Sequence, residues 1–381
     1  MVSIMRKSAL VWGLALAAAA GGLLAFAPGS SPQLARADVP AAQPVDAPDV
    51  IVLSGVPGAS STDVLRVTPG SAGPPTRLGT VEHREDAVVR GAVVPGSGIV
   101  LVVADTHPAR DLSWAASLIA VAPGAAAREL CDRVYHATRP LVTASGRVFV
   151  QRGREGAAAP LSGGKALYRV DPLSIDEVDP ASGAKRVVYQ WTGFETHLAG
   201  ELDGELIVYR VGPQGADLVG VQPDSGQVRV IVPSWPAFAR DFSIDTAGRA
   251  LVVQQLDPGG SRGWVAEQVD LHSGAVRALT APQKLDLMPH AWPGGAVLVH
   301  AGADRASVVL GPSSSVRSRV AGGPLWIRSQ SIDGAWLAGL RMIPGRLPEA
   351  VVVRAGDTRV VQLPRSERAR VDIAGFAGGA R

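Results

Sequence analysis

Few residues of this chain stand in patterns that catalysis requires. The one match to the G-x-S-x-G pattern of serine hydrolases is Gly259-Gly260-Ser261-Arg262-Gly263. A nucleophilic serine in that pattern needs a sharp turn from a strand into a helix. Here the following residues, 264–271, form a strand-like run without helical periodicity. We therefore predict an ordinary hairpin loop at this place.

The sequence does not indicate a metal or nucleotide site either. The seven histidines form no H-E-x-x-H motif and no close cluster with cysteine, and the chain has no EF-hand loop, P-loop or dinucleotide-binding motif. The single cysteine, Cys131, stands beside Leu130 and is predicted to be a small buried filler. The sequence therefore predicts no cofactor and no metal ion.

The composition favours a globular protein with many short strands. Of 381 residues, 46% are hydrophobic and 19% are charged, which is too little charge for a disordered chain or a coiled coil. The 44 glycines and 29 prolines are dispersed between short Val, Leu and Ile runs. Such spacing is typical of strands joined by turns.

Short apolar runs recur after glycine-containing turns at seven places. They are residues 51–53, 99–103, 147–150, 206–209, 250–253, 296–299 and 335–338. Their starts are 39 to 59 residues apart, near the roughly 40 to 50 of a four-stranded propeller blade. A second run, a polar turn and a further strand follow each one, as in an antiparallel meander. The sequence predicts an all-β, seven-bladed β-propeller of four-stranded antiparallel blades.

The chain ends give a further expectation about the ring. The first blade lacks an innermost strand, whereas residues 369–376 form a strand-like stretch without a blade of its own. We expect this stretch to complete the first blade and close the ring, because closure removes an exposed sheet edge. An additional strand-like segment at residues 166–170 leaves six and eight blades as alternatives.

One repeat resembles a known family. The residues Ser331-Ile332-Asp333-Gly334-Ala335-Trp336-Leu337-Ala338 match the S-x-D-G-x-x-L-A motif of TolB-like and WD-repeat-like β-propellers, and weaker copies occur at residues 243–252 and 202–206. The resemblance implies an extracytoplasmic binding scaffold, with proteins among its partners. The additional domains of TolB and of prolyl-oligopeptidase-like enzymes have no counterpart in the expected layout, so the resemblance concerns fold more than function.

The N-terminus predicts export. Residues 1–37 form a signal peptide, with Arg6 and Lys7 before an apolar stretch at 9–27 and an A-x-A cleavage site at Ala35-Arg36-Ala37. A Pro/Ala-rich linker at 38–49, the propeller at 50–376 and a short tail at 377–381 follow. An uncleaved membrane anchor is the alternative for the leader. Both interpretations place the protein outside the cytoplasm, in the periplasm or secreted.

The charge balance limits the partners. The formal net charge of +3 includes three basic leader residues, and without them 34 basic residues face 34 acidic ones. A neutral chain is not expected to bind nucleic acid. We expect membrane contact only through an uncleaved leader, and we expect a monomer.

Aromatic and basic residues recur where a propeller would bring them together. Blade-to-blade linkers and the loops between second and third strands should gather on one face around the central channel, called here the mouth face. The linkers contain His136, His197, Trp235, Arg240, His290 and Trp326, and the loops contain Arg110, Arg154, Arg262, Arg305 and Arg346. Rings supply apolar contact area, and guanidiniums recognise carboxylates or phosphates. These residues are the predicted ligand-binding surface.

A structural interpretation of the same residues stays open. Only four residues are lysine, so arginine is the ordinary surface cation of this chain. The aromatic residues would then pack between blades, and the loops would only be solvated. The long segment 153–174 over the same face is a candidate partial lid.

The sequence therefore favours a non-catalytic, exported propeller that binds a protein, peptide or glycan at the mouth face. The alternative is a propeller enzyme, such as a lyase, lactonase or hydrolase, whose groups converge from several blades and leave no linear motif. Clustering of His136, His197 and His290 within reach of one metal would favour the enzyme. A third possibility is a purely structural role in the envelope.

Overall fold

Antiparallel strands make up most of the part of the chain that the structure describes. The computed structural model describes residues 46–106, 114–136, 138–154, 171–257, 259–261, 263–300, 306–320, 323–357, 359–364 and 368–378. These residues form 28 β-strands and no α-helix. The predicted leader, most of the linker and the segment 155–170 lie outside the described residues.

The strands follow one another with short connections. In chain order they are β1 (Val50–Gly55), β2 (Ser61–Val67), β3 (Thr76–Glu82), β4 (Arg90–Val93), β5 (Val100–Asp105), β6 (Ala116–Val121), β7 (Arg128–Val134), β8 (Leu141–Val142), β9 (Val148–Gly153), β10 (Asp171–Val178), β11 (Lys185–Gly193), β12 (Glu195–Leu202), β13 (Glu205–Gly212), β14 (Gly215–Val221), β15 (Val228–Trp235), β16 (Ala239–Asp245), β17 (Ala250–Leu256), β18 (Trp264–Asp270), β19 (Val276–Ala278), β20 (His290–Trp292), β21 (Ala296–His300), β22 (Ser307–Leu310), β23 (Val316–Val320), β24 (Leu325–Gln330), β25 (Trp336–Arg341), β26 (Glu349–Arg354), β27 (Val360–Gln362) and β28 (Arg370–Phe376).

The described strands form five four-stranded sheets and one eight-stranded sheet. The four-stranded sheets have the orders β28-β1-β2-β3, β12-β13-β14-β15, β16-β17-β18-β19, β20-β21-β22-β23 and β24-β25-β26-β27. In the eight-stranded sheet, the group β4 to β7 meets the group β8 to β11 through one residue pair, Val134 with Arg152. The same antiparallel four-strand group thus recurs along the chain, as the repeat predicted.

The predicted apolar runs occupy equivalent places in these groups. All seven lie within one residue of a second strand, namely β1, β5, β9, β13, β17, β21 or β25. Strands β5 and β21 are buried along their whole length, whereas the last strand of a group, β19, is exposed. A strand that is apolar on both faces is typical of a sheet covered on both sides. The core accordingly lies between neighbouring sheets, as in the cluster of Ile207 and Leu218 with Leu251 and Val269.

The S-x-D-G motif forms the turn between β24 and β25. The Ser331 hydroxyl donates to Oδ1 of Asp333 (2.6 Å) and accepts from the backbone N–H of Trp336 (2.8 Å). Oδ1 of Asp333 also accepts from the N–H of Ala335 (2.9 Å). Gly334 has φ 69°, a left-handed conformation that glycine adopts at little cost. The motif residues therefore satisfy the backbone of a tight turn and form no reactive site.

The chain ends meet in one sheet. Strand β28 pairs antiparallel with β1 from Val50 with Phe376 to Gly55 with Arg370. The first strands of successive groups also lie side by side, because β28 contacts both β4 and β24, and β16 contacts both β12 and β20. The C-terminal strand therefore completes the first sheet, as expected.

Two further predictions are confirmed. The G-x-S-x-G match lies in the loop between the paired strands β17 and β18, where Asp257 accepts backbone hydrogen bonds from Gly259 and Ser261. Cys131 is buried in the core, and burial raises its pKa to about 11. Neither feature has the form of a nucleophilic site. In the part of the chain that the structure describes, no helix is long and apolar enough to cross a membrane.

The pairing of β28 with β1 generates a test. Removal of residues 369–381 should abolish cooperative unfolding, because it exposes the edge of β1 and removes the buried side chains of Val371, Ile373 and Phe376. Burial of each side chain contributes about 1.5 to 3 kcal/mol to the free energy of unfolding. The total for a domain is about 5 to 15 kcal/mol. The control lacks only residues 377–381. Thermal unfolding and size-exclusion chromatography should show a folded control and an aggregated shorter chain; two equally stable proteins would contradict the role of β28.

Candidate functional site

A buried carboxylate lies among the first strands of the sheets. Asp372 of β28 is 5% exposed. Its oxygens meet Nη2 of Arg139 at 2.9 Å, Nη1 of Arg90 at 3.3 Å and Nε of Arg328 at 3.3 Å. These arginines come from three places in the chain: Arg90 begins β4, Arg139 precedes β8, and Arg328 belongs to β24. We call these four residues the arginine cluster.

The electrostatics of the cluster follow from its burial. Burial raises the pKa of Asp372, but the three guanidiniums outweigh it and hold the pKa at about 2. For Arg328, burial is the largest effect and lowers the pKa to about 9, with the other two arginines acting in the same direction. Three positive charges thus share one carboxylate.

Asp241 of β16 is the next acid in the neighbourhood. Its Oδ1 accepts a hydrogen bond from Nε1 of Trp326 (3.1 Å). Burial, followed by the charge of Asp286, raises the pKa of Asp241. Asp286 in turn pairs with Arg240 at 3.0 Å. When Asp241, Asp286 and Arg240 are added to the arginine cluster, four guanidiniums face three carboxylates. The net charge of these seven residues is therefore positive.

Irregular pairing directs several of these side chains. The register of β24 against β25 shifts between Ile327 and Ser329, which leaves Arg328 as the extra residue of a β-bulge. The register of β16 shifts between Arg240 and Ser243, across Asp241 and Phe242, and Asp241 has a left-handed φ of 55°. A bulge redirects side chains and often lies beside a functional site. Here the bulges belong to the first strands of their sheets.

Arg328 is stacked but incompletely hydrogen-bonded. Its guanidinium carbon lies 3.2 Å from the centre of the Trp326 ring. Nε of Arg328 and Nε of Arg139 are buried without a hydrogen-bond partner. Among the described residues, Nη1 and Nη2 of Arg328 have no hydrogen-bond partner either. The two buried Nε groups without a hydrogen bond are a costly arrangement for stability alone.

Two open cavities meet at Arg328. The channel cavity has a volume of about 450 Å³. Its lining includes Arg139, Phe242 and Gln330 and comes from the first strands β4, β8, β12, β16, β24 and β28 and the residues beside them. The mouth cavity, about 380 Å³, is lined by the β1–β2 turn, the β3–β4 linker, the β25–β26 loop and the start of β28. Linkers and second-to-third-strand loops define the mouth face, so the mouth cavity lies on it. The channel cavity opens beside the turns at the other end of the first strands.

An aromatic group lies near the channel cavity. The ring centre of Tyr135 is 5.3 Å from that of His136 and 6.0 Å from that of His197. His197 also lies 6.1 Å from Phe242, which lines the channel cavity. Nε2 of His197 hydrogen-bonds with Glu195 at 3.1 Å. These rings form an aromatic group beside the channel cavity, with Glu195 hydrogen-bonded to one of its histidines.

The structure brings some of the predicted site residues together. His136 and His197 share contact with Tyr135, and Arg240 and Trp326 share Asp241. Trp235 is 5% exposed and packs edge-on against Tyr209, so it belongs to the core. His290 is half-buried on β20, where burial lowers its pKa to about 4.

The predicted loop arginines contribute less to this region. Arg110, Arg262 and Arg305 lie outside the described residues, as does most of the predicted lid. Arg154 follows β9, and Arg346 is exposed in the β25–β26 loop. Among the described residues, no side-chain hydrogen bond or ion pair joins either one to the arginine cluster. No group of three or more His, Cys, Asp or Glu residues in the described ranges is arranged to hold a metal ion.

Sequence reasoning missed the arginine cluster itself. Linkers and loops were the expected source of ligand contacts, whereas Arg90, Arg328 and Asp372 lie within short first strands. A signal was present: Arg240 stands three residues before Ser243, and Arg328 stands three residues before the motif serine Ser331. The two arginines thus share a repeat position in the sequence, but Arg240 pairs with Gln254 whereas Arg328 is the extra residue of a bulge, so the repeat alone does not reveal the contact of Arg328 with Asp372.

Comparisons with known proteins identify the architecture. No protein-family model and no curated protein sequence matches the chain. A putative 6-phosphogluconolactonase from Bacteroides uniformis is similar over 86% of this chain and 100% of its own, with TM-score 0.53 and 10% identity. A puromycin-hydrolyzing peptidase from Mycobacterium tuberculosis is similar over 83% of this chain and 53% of its own, with TM-score 0.51 and 17% identity. The fold is that of a β-propeller.

TolB from Acinetobacter baumannii is a further similar structure. The similarity covers 86% of this chain and 67% of TolB, with TM-score 0.48 and 11% identity. At such identities a structural likeness concerns the fold and not the activity. The propeller of this chain must therefore be interpreted from its own residues.

The Asp372 carboxylate generates a test of the cluster. The substitution Asp372→Asn leaves three largely buried guanidiniums without their shared anion and should cost about 3 to 5 kcal/mol of unfolding free energy at pH 7. The control Asp224→Asn removes an exposed carboxylate that also pairs with arginine, and it should cost at most about 0.5 kcal/mol. Chemical denaturation measures both.

The pH dependence has a defined sign. The folded-state pKa of Asp372, about 2, lies below the ordinary value of 3.8, so its contribution is full above about pH 5 and is lost as the pH falls towards 2. The stability difference between the wild type and Asp372→Asn should shrink by about 2 kcal/mol over that window. A difference independent of pH would contradict the assigned ion pairs.

Proposed function

We propose that this chain is an exported, non-catalytic, seven-bladed β-propeller that binds a protein, peptide or glycan at its mouth face. The blade number follows from dividing the eight-stranded sheet at its single Val134–Arg152 link, which gives seven four-stranded groups. The pairing of β28 with β1 closes the ring in this proposal. Residues 1–37 supply export, and the working protein starts near Asp38.

One observation carries the proposal. The mouth cavity is an open pocket on the face that the repeat predicted, and it is lined by Trp326 together with three members of the arginine cluster, Arg90, Arg328 and Asp372. Binding pockets are typically concave and apolar, with a few polar groups that fix the ligand. This cavity has that composition.

The rim of the cavity supports the same assignment. Val56 is 60% exposed and lines the mouth cavity. Five of the other strongly exposed apolar residues, Val187, Val228, Val230, Val276 and Val316, lie instead on the last strands of their groups. An apolar side chain exposed beside a pocket favours a contact with a ligand. The mature chain would thus hold its partner between Val56 and Trp326.

Selective blocking of the cavity tests the proposal. The native thiol should not react with a maleimide, because Cys131 is buried and its pKa is raised to about 11. In the variant Val56→Cys, a maleimide-linked polyethylene glycol should attach at the rim and cover the cavity. The matched control is Val230→Cys, which carries the same label on an exposed site of the outer strand β15.

Binding is measured on peptide and glycan arrays with the labelled proteins. We expect the wild type and labelled Val230→Cys to bind the same ligands, and labelled Val56→Cys to bind them at least about tenfold more weakly. Ligands recovered from the wild type should keep their mass. Undiminished binding by labelled Val56→Cys would refute the mouth-face site, and a change in ligand mass would refute the non-catalytic role.

A further inference from the structure

The arginine cluster holds more positive charge than its own fold requires. One carboxylate, Asp372, is shared by Arg90, Arg139 and Arg328. A single buried ion pair would satisfy Asp372, and each additional buried guanidinium carries a desolvation cost. The cluster is therefore short of an anion rather than balanced.

The unused hydrogen-bond donors are concentrated at Arg328. Arg139 is fixed, since it donates to Asp372 and to the carbonyl oxygens of Arg328 and Ile373. The ion pair of Arg328 with Asp372 is made by Nε at 3.3 Å, and Nη1 and Nη2 donate no hydrogen bond to any of the described residues. Trp326 holds the guanidinium plane from one side. A guanidinium that is held in one plane, with Nη1 and Nη2 both able to donate, can bind a carboxylate through two parallel hydrogen bonds.

The rest of the mouth cavity offers little other polar recognition. Nε2 of His83 bonds to the Thr62 hydroxyl and its Nδ1 to the Arg84 carbonyl oxygen, both at 2.8 Å. Asp86 accepts from the N–H of Gly58. Of the 23 described lining residues, 13 carry apolar side chains. A glycan would leave many hydroxyls without partners against such a surface. An apolar side chain beside a carboxylate matches it better.

We propose that the mouth cavity binds the C-terminal carboxylate of a peptide or protein whose last residue is apolar, with Arg328 as the carboxylate-binding residue. The inference rests on the proposed binding function and specifies its ligand. Arg90 lies beside Arg328, and Arg370 is exposed at the start of β28 on the same cavity. Both add positive potential along the path of the carboxylate. The apolar side chain would pack against Trp326 and Met342, which line the cavity.

The experiment compares acids with amides. N-acetyl tetrapeptides of random sequence that end in Leu, Ile, Val or Phe are prepared as C-terminal acids and as the matched amides, and binding to the mature protein is measured by calorimetry. We expect the best acids to bind at least about tenfold more tightly than their amides. Arg328→Met should bind acid and amide equally. Arg328→Lys keeps the charge but loses the planar fork, and should retain only part of the difference.

The control variant is Arg210→Met. Arg210 also stacks on a tryptophan, with its guanidinium carbon 5.1 Å from the Trp191 ring centre, and also pairs with an aspartate, Asp217 at 3.1 Å. It lines neither cavity. We expect Arg210→Met to keep the full preference for the acid. Circular dichroism checks that each variant is folded.

Every outcome distinguishes the two proposals. Equal binding of acids and amides by the wild type would overturn the carboxylate inference and leave the binding function intact. No binding by any peptide would overturn the inference. If an acidic glycan such as a uronic acid trimer then bound, the proposed binding function would stand. If no ligand on the peptide and glycan arrays bound, the proposed binding function would be overturned as well. Tight binding of octanoate without binding of any peptide would overturn the assignment to a peptide carboxylate. The same holds if inorganic phosphate displaces the bound acid peptide more strongly than acetate does.

Discussion

The shared ion pairs of Asp372 tie together the parts of the chain on which the site depends. Asp372 lies on β28, the strand that also pairs with β1, and its three arginines come from β4, the segment before β8 and β24. Residues far apart in sequence thus meet at one buried carboxylate. Because a buried charge needs compensation, the position of β28 and the positions of three neighbouring first strands constrain one another. The geometry of the arginine cluster therefore depends on the pairing of β28 with β1.

The arrangement also carries a cost that stability alone does not explain. Apolar packing between sheets supplies the core, as in the clusters around Leu251 and Val351, and replacing buried ion pairs with apolar residues is often neutral or stabilising. The β-bulge at Arg328 disrupts regular pairing and leaves buried donors unused. Departures from ideal pairing and satisfied polarity concentrate at functional sites in natural proteins. Charge excess, a bulge and an open apolar cavity coincide at Arg328.

The repeat predicted much of the fold, because each second strand is apolar on both faces and each turn needs glycine, aspartate or serine. Residues 335–338 and 369–376 were assigned to strands on that basis, and β25 and β28 lie there. The site was harder to predict. Arg328 and Asp372 are 44 residues apart in sequence, and single-sequence patterns do not reveal that a bulge will turn one towards the other. Trp235 was chosen for its ring, yet neighbouring sheets bury it.

In the proposed site, Nη1 and Nη2 of Arg328 donate hydrogen bonds to a ligand carboxylate, because Arg328 shares its only carboxylate partner among the described residues, Asp372, with two other arginines. The most direct measurement is nitrogen-15 NMR of the arginine side chains, with the Arg328 signals assigned by their loss in Arg328→Met. On addition of a saturating C-terminal acid peptide, hydrogen bonds to the carboxylate should slow rotation of the guanidinium and resolve separate Nη signals for Arg328, whereas the matched amide should leave them averaged. Unchanged Arg328 signals in the presence of a bound acid peptide would contradict the account.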